Sequence, residues 1–415
     1  MKILYVSQYF PPEMGAPAAR VSELARHWVE MGHEVTVLTG FPNHPTGVVP
    51  AEYRRHLRRL VLTEQCGGIE VVRTWLWPLP NRKSHERIRS YASFCCSAVL
   101  RGMLLARPDV MIATSPQLLV PLSGWCLSRA KRVPLVFEVR DLWPESLEAV
   151  GVSDGSSALH RGLRMLAGFL YRKCEQIVVV TPAFKHHLVS HCRVPADKIA
   201  VIENGVETDL FASADGDADL RRELGLNGRF VVAYIGTFGN AHGLETLLTA
   251  AEAVGERIAD AQFLLVGEGA EKERILLQVR ERRLKNIRIL DQQPRGRVPA
   301  LIRTADVCLV LLKKSQVFET VVPTKMLEFM ACGRPVILTA RGEAATLLEA
   351  AGAGVSIPPE DSAALARAIE ALYRDPHHRS RLGKNGRAYV VRHLSRRQTA
   401  NAYMALLHSV AARRD

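Results

Sequence analysis

Hydrophobic and polar positions along this chain alternate between two signatures. Short apolar runs fit strands buried on both faces; stretches with apolar residues at i, i+3, i+4 and i+7 fit amphipathic helices. KILYVS at 2–7 reads as a buried strand. A proline-rich loop follows, QYFPPEMGAPA, and then a helix from about Ala18 to Met31. Val21, Leu24, Ala25, Trp28 and Val29 share one face of that helix, and Gly32 marks its stop. Val35–Leu38 is the next strand. Strand, loop, helix, strand predicts a parallel sheet with right-handed crossovers. Further strands are expected near 69–73, 110–113, 134–139, 176–180 and 199–202, with a long amphipathic helix near 84–106. Residues 40–60 have loop chemistry followed by basic charge, and a loop of that length after a strand is usually functional.

Residues 203–228 break the alternation with a polar, acidic, turn-rich passage that reads as the junction between domains. Its DGDAD segment resembles a metal-binding carboxylate cluster. No apolar strand delivers those carboxylates into a cleft, so a solvated loop with a helix cap is the simpler reading. A second alternation starts at Phe230. Strands are expected at 230–235, 263–266, 287–290, 307–312, 335–338 and 355–357, and helices at 244–257, 271–284, 297–305, 325–331, 343–351 and 361–374. The pattern therefore predicts an α/β protein of two parallel-sheet domains, 1–202 and 203–394. The tail, 377–412, reads as helical, and a helix over about 395–415 is expected to pack back on the first domain.

Composition narrows the class. With 415 residues, 47% hydrophobic and 23% charged, the chain can bury two cores. Its eight cysteines are scattered, with no CxxC and no Cys/His ligand spacing, which argues against a zinc site or a disulfide framework and for a cytoplasmic setting. MKILYVSQYF turns polar too soon for a signal peptide, and no apolar run is long enough for a spanning helix. The net charge of +13 is uneven: residues 54–107 hold 11 basic side chains and 3 acidic ones. Such a patch attracts anionic lipid, phosphorylated ligands or nucleic acid, or is a solvated face without a partner. No nucleic-acid module accompanies it, so nucleic acid ranks last.

The candidate chemistry sits at strand ends, where open α/β sheets bind ligands. Strand 230–235 runs into GTFGNAHG, whose Gly236 and Gly239 allow close backbone approach ahead of a helix near Leu244, an arrangement that suits a pyrophosphate. Ordinary turns share that pattern. In FETVVPTKMLEFMACGRPVI, at 318–337, Thr324 reads as an N-cap, with Lys325 at the helix start and Glu328 one turn on, upon the same face. A cation there opposes the helix dipole, which suggests a bound anion; a surface lysine and a solvated glutamate fit equally. Strand 134–139 ends in RDLWPES, placing Asp141 beside Trp143, where a carboxylate can orient or deprotonate a sugar hydroxyl; a helix cap or a pair with Arg140 is the other reading. There is no GxSxG elbow, Walker loop, HExxH or GxGxxG after the first strand, so hydrolase, P-loop, zincin and dehydrogenase chemistry lack support.

Glu328 to Ile337, EFMACGRPVI, resembles the EAMACGxPVI motif of the family-four retaining glycosyltransferases. MGHEVTVLT at 31–39, ENGVETDLF at 203–211 and YIGTFGNAHGLETLL at 234–248 extend the resemblance over nearly the whole chain. The resemblance implies the GT-B fold, two Rossmann-like domains facing across a cleft. FPNHPTG at 41–47, EVRDLWPES and VPTKMLEFMA at 322–331 are similar to a narrower bacterial subgroup that places N-acetylfucosamine, fucose or related sugars in O-antigen, capsule or colanic acid. On that resemblance the donor set is Gly15, Gly236, Thr237, Phe238, Gly239, Gln293, Pro323, Thr324, Lys325 and Glu328. Glu328 would hold the ribose hydroxyls. Lys325 and the 236–239 amides would hold the diphosphate, with Gly15 approaching from the other domain, and DQQP at 291–294 would border the base. Asn43, His44, Asp141 and Trp143 would lie on the acceptor side.

Two departures stand out. The wider family has a second Glu eight positions before Glu328, where this chain has Thr320, and often Arg and Lys where it has Thr237 and His242. The implied reaction is retaining transfer from a nucleoside-diphosphate sugar, expected to be UDP-linked, by front-face attack, with Asp141, Lys325 and Glu328 as the catalytic set. No metal or cofactor is expected. The acceptor would be a polyprenyl-diphosphate-linked sugar or an oligosaccharide met at the inner leaflet through the basic 54–107 segment. A non-catalytic nucleotide-sugar-binding subunit and a GT-B epimerase are the alternatives.

Overall fold

The computed structural model describes residues 1–44, 47–79, 84–146, 157–212 and 217–413. It divides into two compact units, one of residues 1–203 with the tail from Arg397 on, the other of residues 204–396.

The first unit runs β1 (Lys2–Val6), α1 (Ala16–Glu30), β2 (Glu34–Gly40), α2 (Ala51–Leu57), β3 (Val61–Cys66), β4 (Ile69–Thr74), α3 (Ser84–Met103), β5 (Val110–Thr114), α4 (Leu119–Lys131), β6 (Leu135–Val139), α5 (Ala158–Lys173), β7 (Gln176–Val179), α6 (Pro182–Ser190) and β8 (Ile199–Val201). Its sheet has the order β3-β4-β2-β1-β5-β6-β7-β8. All pairs are parallel except β3–β4. Two elements were not legible: the stretch expected as a loop ends in α2, and β3 adds an antiparallel edge. β3 (VLTEQC) is half polar and only partly buried, which hides it from a search for buried strands. The first helix begins at Ala16, two residues before its apolar face, because Pro17 fits a helix's first turn.

The second unit runs α7 (Ala218–Glu223), β9 (Phe230–Ile235), α8 (Leu244–Gly255), β10 (Ala261–Val266), α9 (Lys272–Glu281), β11 (Ile287–Leu290), α10 (Val298–Thr304), β12 (Val307–Leu311), α11 (Thr324–Ala331), β13 (Val336–Thr339), α12 (Glu343–Ala350), β14 (Gly354–Ile357), α13 (Ser362–Arg374) and α14 (Pro376–His393). Its sheet is wholly parallel, in the order β11-β10-β9-β12-β13-β14. Side chains of β9 alternate between two cores. Val231, Ala233 and Ile235 pack with α11; Phe230, Val232 and Tyr234 pack with α8 and α13. DGDAD falls partly on residues 213–216, outside the described residues; Asp217 from it caps α7, accepting from the Leu220 amide at 3.1 Å.

The tail is two helices, not one. Between them Leu394 and Ser395 are non-helical and bridge to Val206: the Val206 amide donates to the Leu394 carbonyl at 2.9 Å and the Arg396 amide to the Val206 carbonyl at 2.8 Å. The last helix, α15 (Arg396–Ala412), then lies on the first unit's core. Its Ala400, Tyr403, Leu407 and Val410 join Tyr5, Val21 and Trp28 there, and the Trp28 indole donates to the Ala400 carbonyl at 3.2 Å.

Candidate active site

Among the parallel strands of each unit the order reverses between β1 and β5 in the first and between β9 and β12 in the second. A crevice opens at such a switch point, outside the strands' carboxyl ends. The loops leaving β9 and β12 flank the second crevice, and they carry the donor candidates.

Lys325 and Glu328 occupy the first turns of α11, but the capping differs from the expectation. Pro323 is the N-cap residue and Thr324 is already helical, with its hydroxyl unused as a cap. The first-turn amides therefore lack a side-chain acceptor, as an anion-binding helix start requires. The ammonium of Lys325 rests on Tyr234: Nζ lies 3.1 Å from Tyr234 Oη and 4.4 Å from the ring centroid. Burial pulls the Lys325 pKa down to about 7, against the opposing pull of Glu328. The Tyr234 hydroxyl donates to the Thr237 carbonyl at 2.6 Å, so one side chain holds both the lysine head and the loop.

Glycine at 236 is required there. Its φ is +154°, and a Cβ would meet Lys325 Nζ at 2.7 Å. The 236–239 amides are not all available, however. The Gly236 amide donates to the Val266 carbonyl at 2.9 Å and the Phe238 amide to the Glu268 carbonyl at 2.8 Å. Phe238 is fully buried among core side chains, so it shapes the loop from beneath and makes no ligand-facing surface. Thr237 and Gly239 keep amides that no other described group uses. The loop also does not run straight into α8: a 3-10 turn, Asn240–His242, intervenes. His242 takes no basic role there. Its Nδ1 lies 3.0 Å from the Leu311 carbonyl, and burial with the Lys325 charge pushes its pKa down to about 3.

Glu328 is buried at 8% exposure and bonded to Arg295, Nη1 to Oε1, at 2.5 Å. The Arg295 guanidinium stacks over the Phe211 ring at 4.7 Å. The sequence reading stopped at DQQP and missed Arg295, one residue beyond. The signal was present, because an arginine after a strand-end proline is an available counter-ion for a buried carboxylate. Gln293 is half-buried, its amide donating to the Asp291 carbonyl at 3.0 Å. Thr320 closes the 3-10 turn Phe318–Thr320, with its hydroxyl donating to the Val317 carbonyl at 2.7 Å. Neighbours on such a turn point about 120° apart, so Glu319 does not present its carboxylate where position 320 would.

In the first unit, Gly15 is the N-cap of α1 at φ +135°, a conformation open to glycine. Asn43 and His44 are held by a residue the sequence reading passed over. Glu13 Oε1 accepts from both backbone amides at 3.0 Å. Burial raises the Glu13 pKa to about 7 against those same bonds. The His44 ring meets Tyr9 edge-on, centroids 5.1 Å apart, and burial lowers its pKa. Asp141 and Trp143 follow β6 directly. Burial lifts Asp141 to about 6, offset in part by Arg140, yet no hydrogen bond joins the two side chains. Pro45 and Thr46 of FPNHPTG lie outside the described residues. Among the described residues, no three His, Cys, Asp or Glu side chains are grouped to hold a metal ion.

Comparison with known proteins agrees with this layout. Residues 15–205 match the model described as "Glycosyl transferase 4-like domain", and residues 217–389 that described as "Glycosyl transferases group 1". A putative colanic acid biosynthesis glycosyl transferase, WcaI, of Escherichia coli K12 is 25% identical over 91% of this chain and 93% of its own. Among solved structures, sucrose-phosphate synthase from Thermosynechococcus elongatus superposes with a TM-score of 0.79 at 23% identity, covering 99% of both chains. Anabaena Alr3699/HepE, solved in complex with UDP-glucose, does so at 0.74 and 18%, covering 99% of this chain and 100% of that one. The chain is thus a glycosyltransferase of GT-B fold, carrying a 4-like domain before a group 1 domain.

Proposed function

We propose that this protein transfers a sugar, with retention at the anomeric carbon, from a nucleoside-diphosphate donor to a lipid-linked or saccharide acceptor during cell-surface polysaccharide assembly. The observation that carries the reading is the pairing on α11. A lysine at an uncapped helix start packs against Gly236 and Tyr234, beside a loop with two available amides, and one turn on a buried carboxylate is fixed by an arginine. The cation, amides and helix dipole suit a diphosphate. The carboxylate, bonded to Arg295, suits a vicinal diol, since its oxygens can accept two hydroxyls.

UDP as the carrier is supported by the UDP-glucose complex of HepE, and polysaccharide assembly by the colanic acid name of WcaI. Leaving-group charge is then held by Lys325 and fixed backbone dipoles, so turnover needs no metal. Asp141, raised by burial toward neutrality, is the acceptor-side group that orients or accepts from the attacking hydroxyl. An N-acetylfucosamine or fucose donor, and a cytoplasmic location where nucleotide sugars are made, complete the reading.

Thermal-shift titration with UDP, GDP and their sugars tests the donor. Stabilisation by a uridine diphosphate is expected, and none by any nucleoside diphosphate overturns the reading. Transfer from the sugar that binds is then followed by UDP release in excess EDTA, with product anomeric configuration read by NMR. Loss of turnover restored by magnesium overturns metal independence, and an inverted product overturns retention.

A further inference from the structure

Helix α3 turns one side inward and leaves the other bare. Phe94 and Ala98 are fully buried. Ser93 and Ser97 tie the helix to the strand-end segment beside it: the Trp77 amide donates to Ser93 Oγ at 2.8 Å, and Ser97 Oγ donates to the Trp75 carbonyl. Outward stand Ile88, Leu100, Met103 and, just past the helix, Leu104. Leu100 is 72% exposed and Leu104 76%. Leu60, 56% exposed, stands across an apolar groove that Trp75 and Cys96 also line.

Basic side chains frame this ridge. Arg54, Arg55, Arg58 and Arg59 are exposed beside Leu60, Arg101 lines the groove, and Arg107 is exposed beyond Leu104. Arg89 stacks on the half-exposed Trp77 at 5.8 Å. Large apolar side chains held in water cost free energy unless covered. A second copy presenting the same face would bring like charges together, which costs several kcal/mol by order of magnitude. Nucleic acid would use the arginines and leave the leucines in water. A bilayer with anionic headgroups takes both. Among the described residues no helix is long and apolar enough to cross a membrane, so contact at this face is interfacial.

We propose that this face of the first unit docks on an anionic phospholipid bilayer, with Leu60, Leu100 and Leu104 entering the headgroup–acyl boundary and Arg58, Arg59, Arg101 and Arg107 meeting lipid phosphates. The binding has two parts, a charge part screened by salt and an apolar part that is not. It stands independently of the donor reading.

The test is co-sedimentation of the full chain with phosphatidylcholine vesicles, with and without phosphatidylglycerol, at low and high salt. The wild type binds anionic vesicles at low salt and keeps a fraction at high salt. Leu100→Ser with Leu104→Ser removes the high-salt fraction and weakens low-salt partitioning about tenfold. Arg58→Gln with Arg59→Gln weakens low-salt binding and leaves the salt-resistant part. An unchanged melting temperature shows that each variant is folded. No wild-type binding to anionic vesicles, binding by both variants equal to wild type, or pelleting without vesicles overturns the proposal.

Discussion

Lys325 Nζ sits 4.4 Å above the ring centroid of Tyr234 and 3.1 Å from its hydroxyl, so the cation is lodged against an aromatic face. The Tyr234 hydroxyl also fixes the Thr237 carbonyl. The tyrosine thereby sets the lysine and the loop in one register, so that on the proposed reading a donor diphosphate meets both together.

Lys325 should take up a proton when a diphosphate binds. Its folded pKa of about 7 lies below the unfolded lysine value, so much of it is neutral above neutral pH in the free protein. A diphosphate favours the charged form. Calorimetry of UDP binding near pH 8 in buffers of different ionisation heat should show uptake approaching one proton, and none in Lys325→Met. The same depression means that the unfolded chain binds more protons between about pH 7 and 10. Wild-type stability therefore gains across that window as pH rises, and Lys325→Met loses that slope in melts at several pH values.

Tyr234→Phe keeps the ring beneath the ammonium and removes the tether to the Thr237 carbonyl. UDP affinity should fall by about three- to tenfold, with the proton uptake retained. An affinity equal to wild type would remove Tyr234 from the phosphate site.

Glu328→Gln should weaken UDP binding by about 1.5–3 kcal/mol while sparing a 2′,3′-dideoxy nucleoside diphosphate, since only the former offers the diol. Arg295→Met should lower both stability and affinity, because it removes the guanidinium bonded to the buried Glu328 carboxylate. Equal losses for UDP and its dideoxy analogue in Glu328→Gln would refute the ribose contact.

Asp141 should govern the acid limb of activity. Its pKa of about 6 means that kcat/KM rises with pH through that region and that Asp141→Asn flattens the limb. The stability sign is the reverse of an ordinary salt-bridged carboxylate. With the folded pKa above the unfolded one, the native state binds more protons between about pH 4 and 6, and stability falls as pH rises through that window. Asp141→Asn should therefore melt no lower than wild type at pH 7. A lower melting temperature there would show that the ionised carboxylate is structural.

Glu13→Ala should cost about 1–3 kcal/mol, because the Asn43 and His44 amides lose their buried acceptor, and Glu13→Gln should cost less. In thermal melts the two variants should rank in that order. In kinetics, the loop that carries His44 should show a raised acceptor KM with little change in the donor's.

Much of the fold was legible because its strands are apolar on both faces and its helices keep one apolar stripe. β9 and β10 are buried almost throughout, and such strands have a sequence signature. β3 is an edge strand with three polar residues in a row and no buried position, and α2 has no buried residue at all, so neither shows an apolar run or stripe. The break at 394–395 depends on Val206, nearly two hundred positions away, which no local pattern reports. Lys325 and Glu328 stood out for charge and spacing. Arg295, Tyr234 and Glu13 did not, because each acts through a partner far off in sequence.

The sequence by itself determined two parallel-sheet domains, the strand ends that carry the candidate site and the helix that pairs Lys325 with Glu328. Those follow from periodicity and from residues placed after buried runs. Tertiary structure alone decided that the Gly236 and Phe238 amides are taken up by the end of β10 and the loop after it, that Glu328 is answered by Arg295 and that Lys325 rests on Tyr234. Those depend on which loops the sheet order brings together, and on the burial that shifts a proton equilibrium only once the chain has closed around the group.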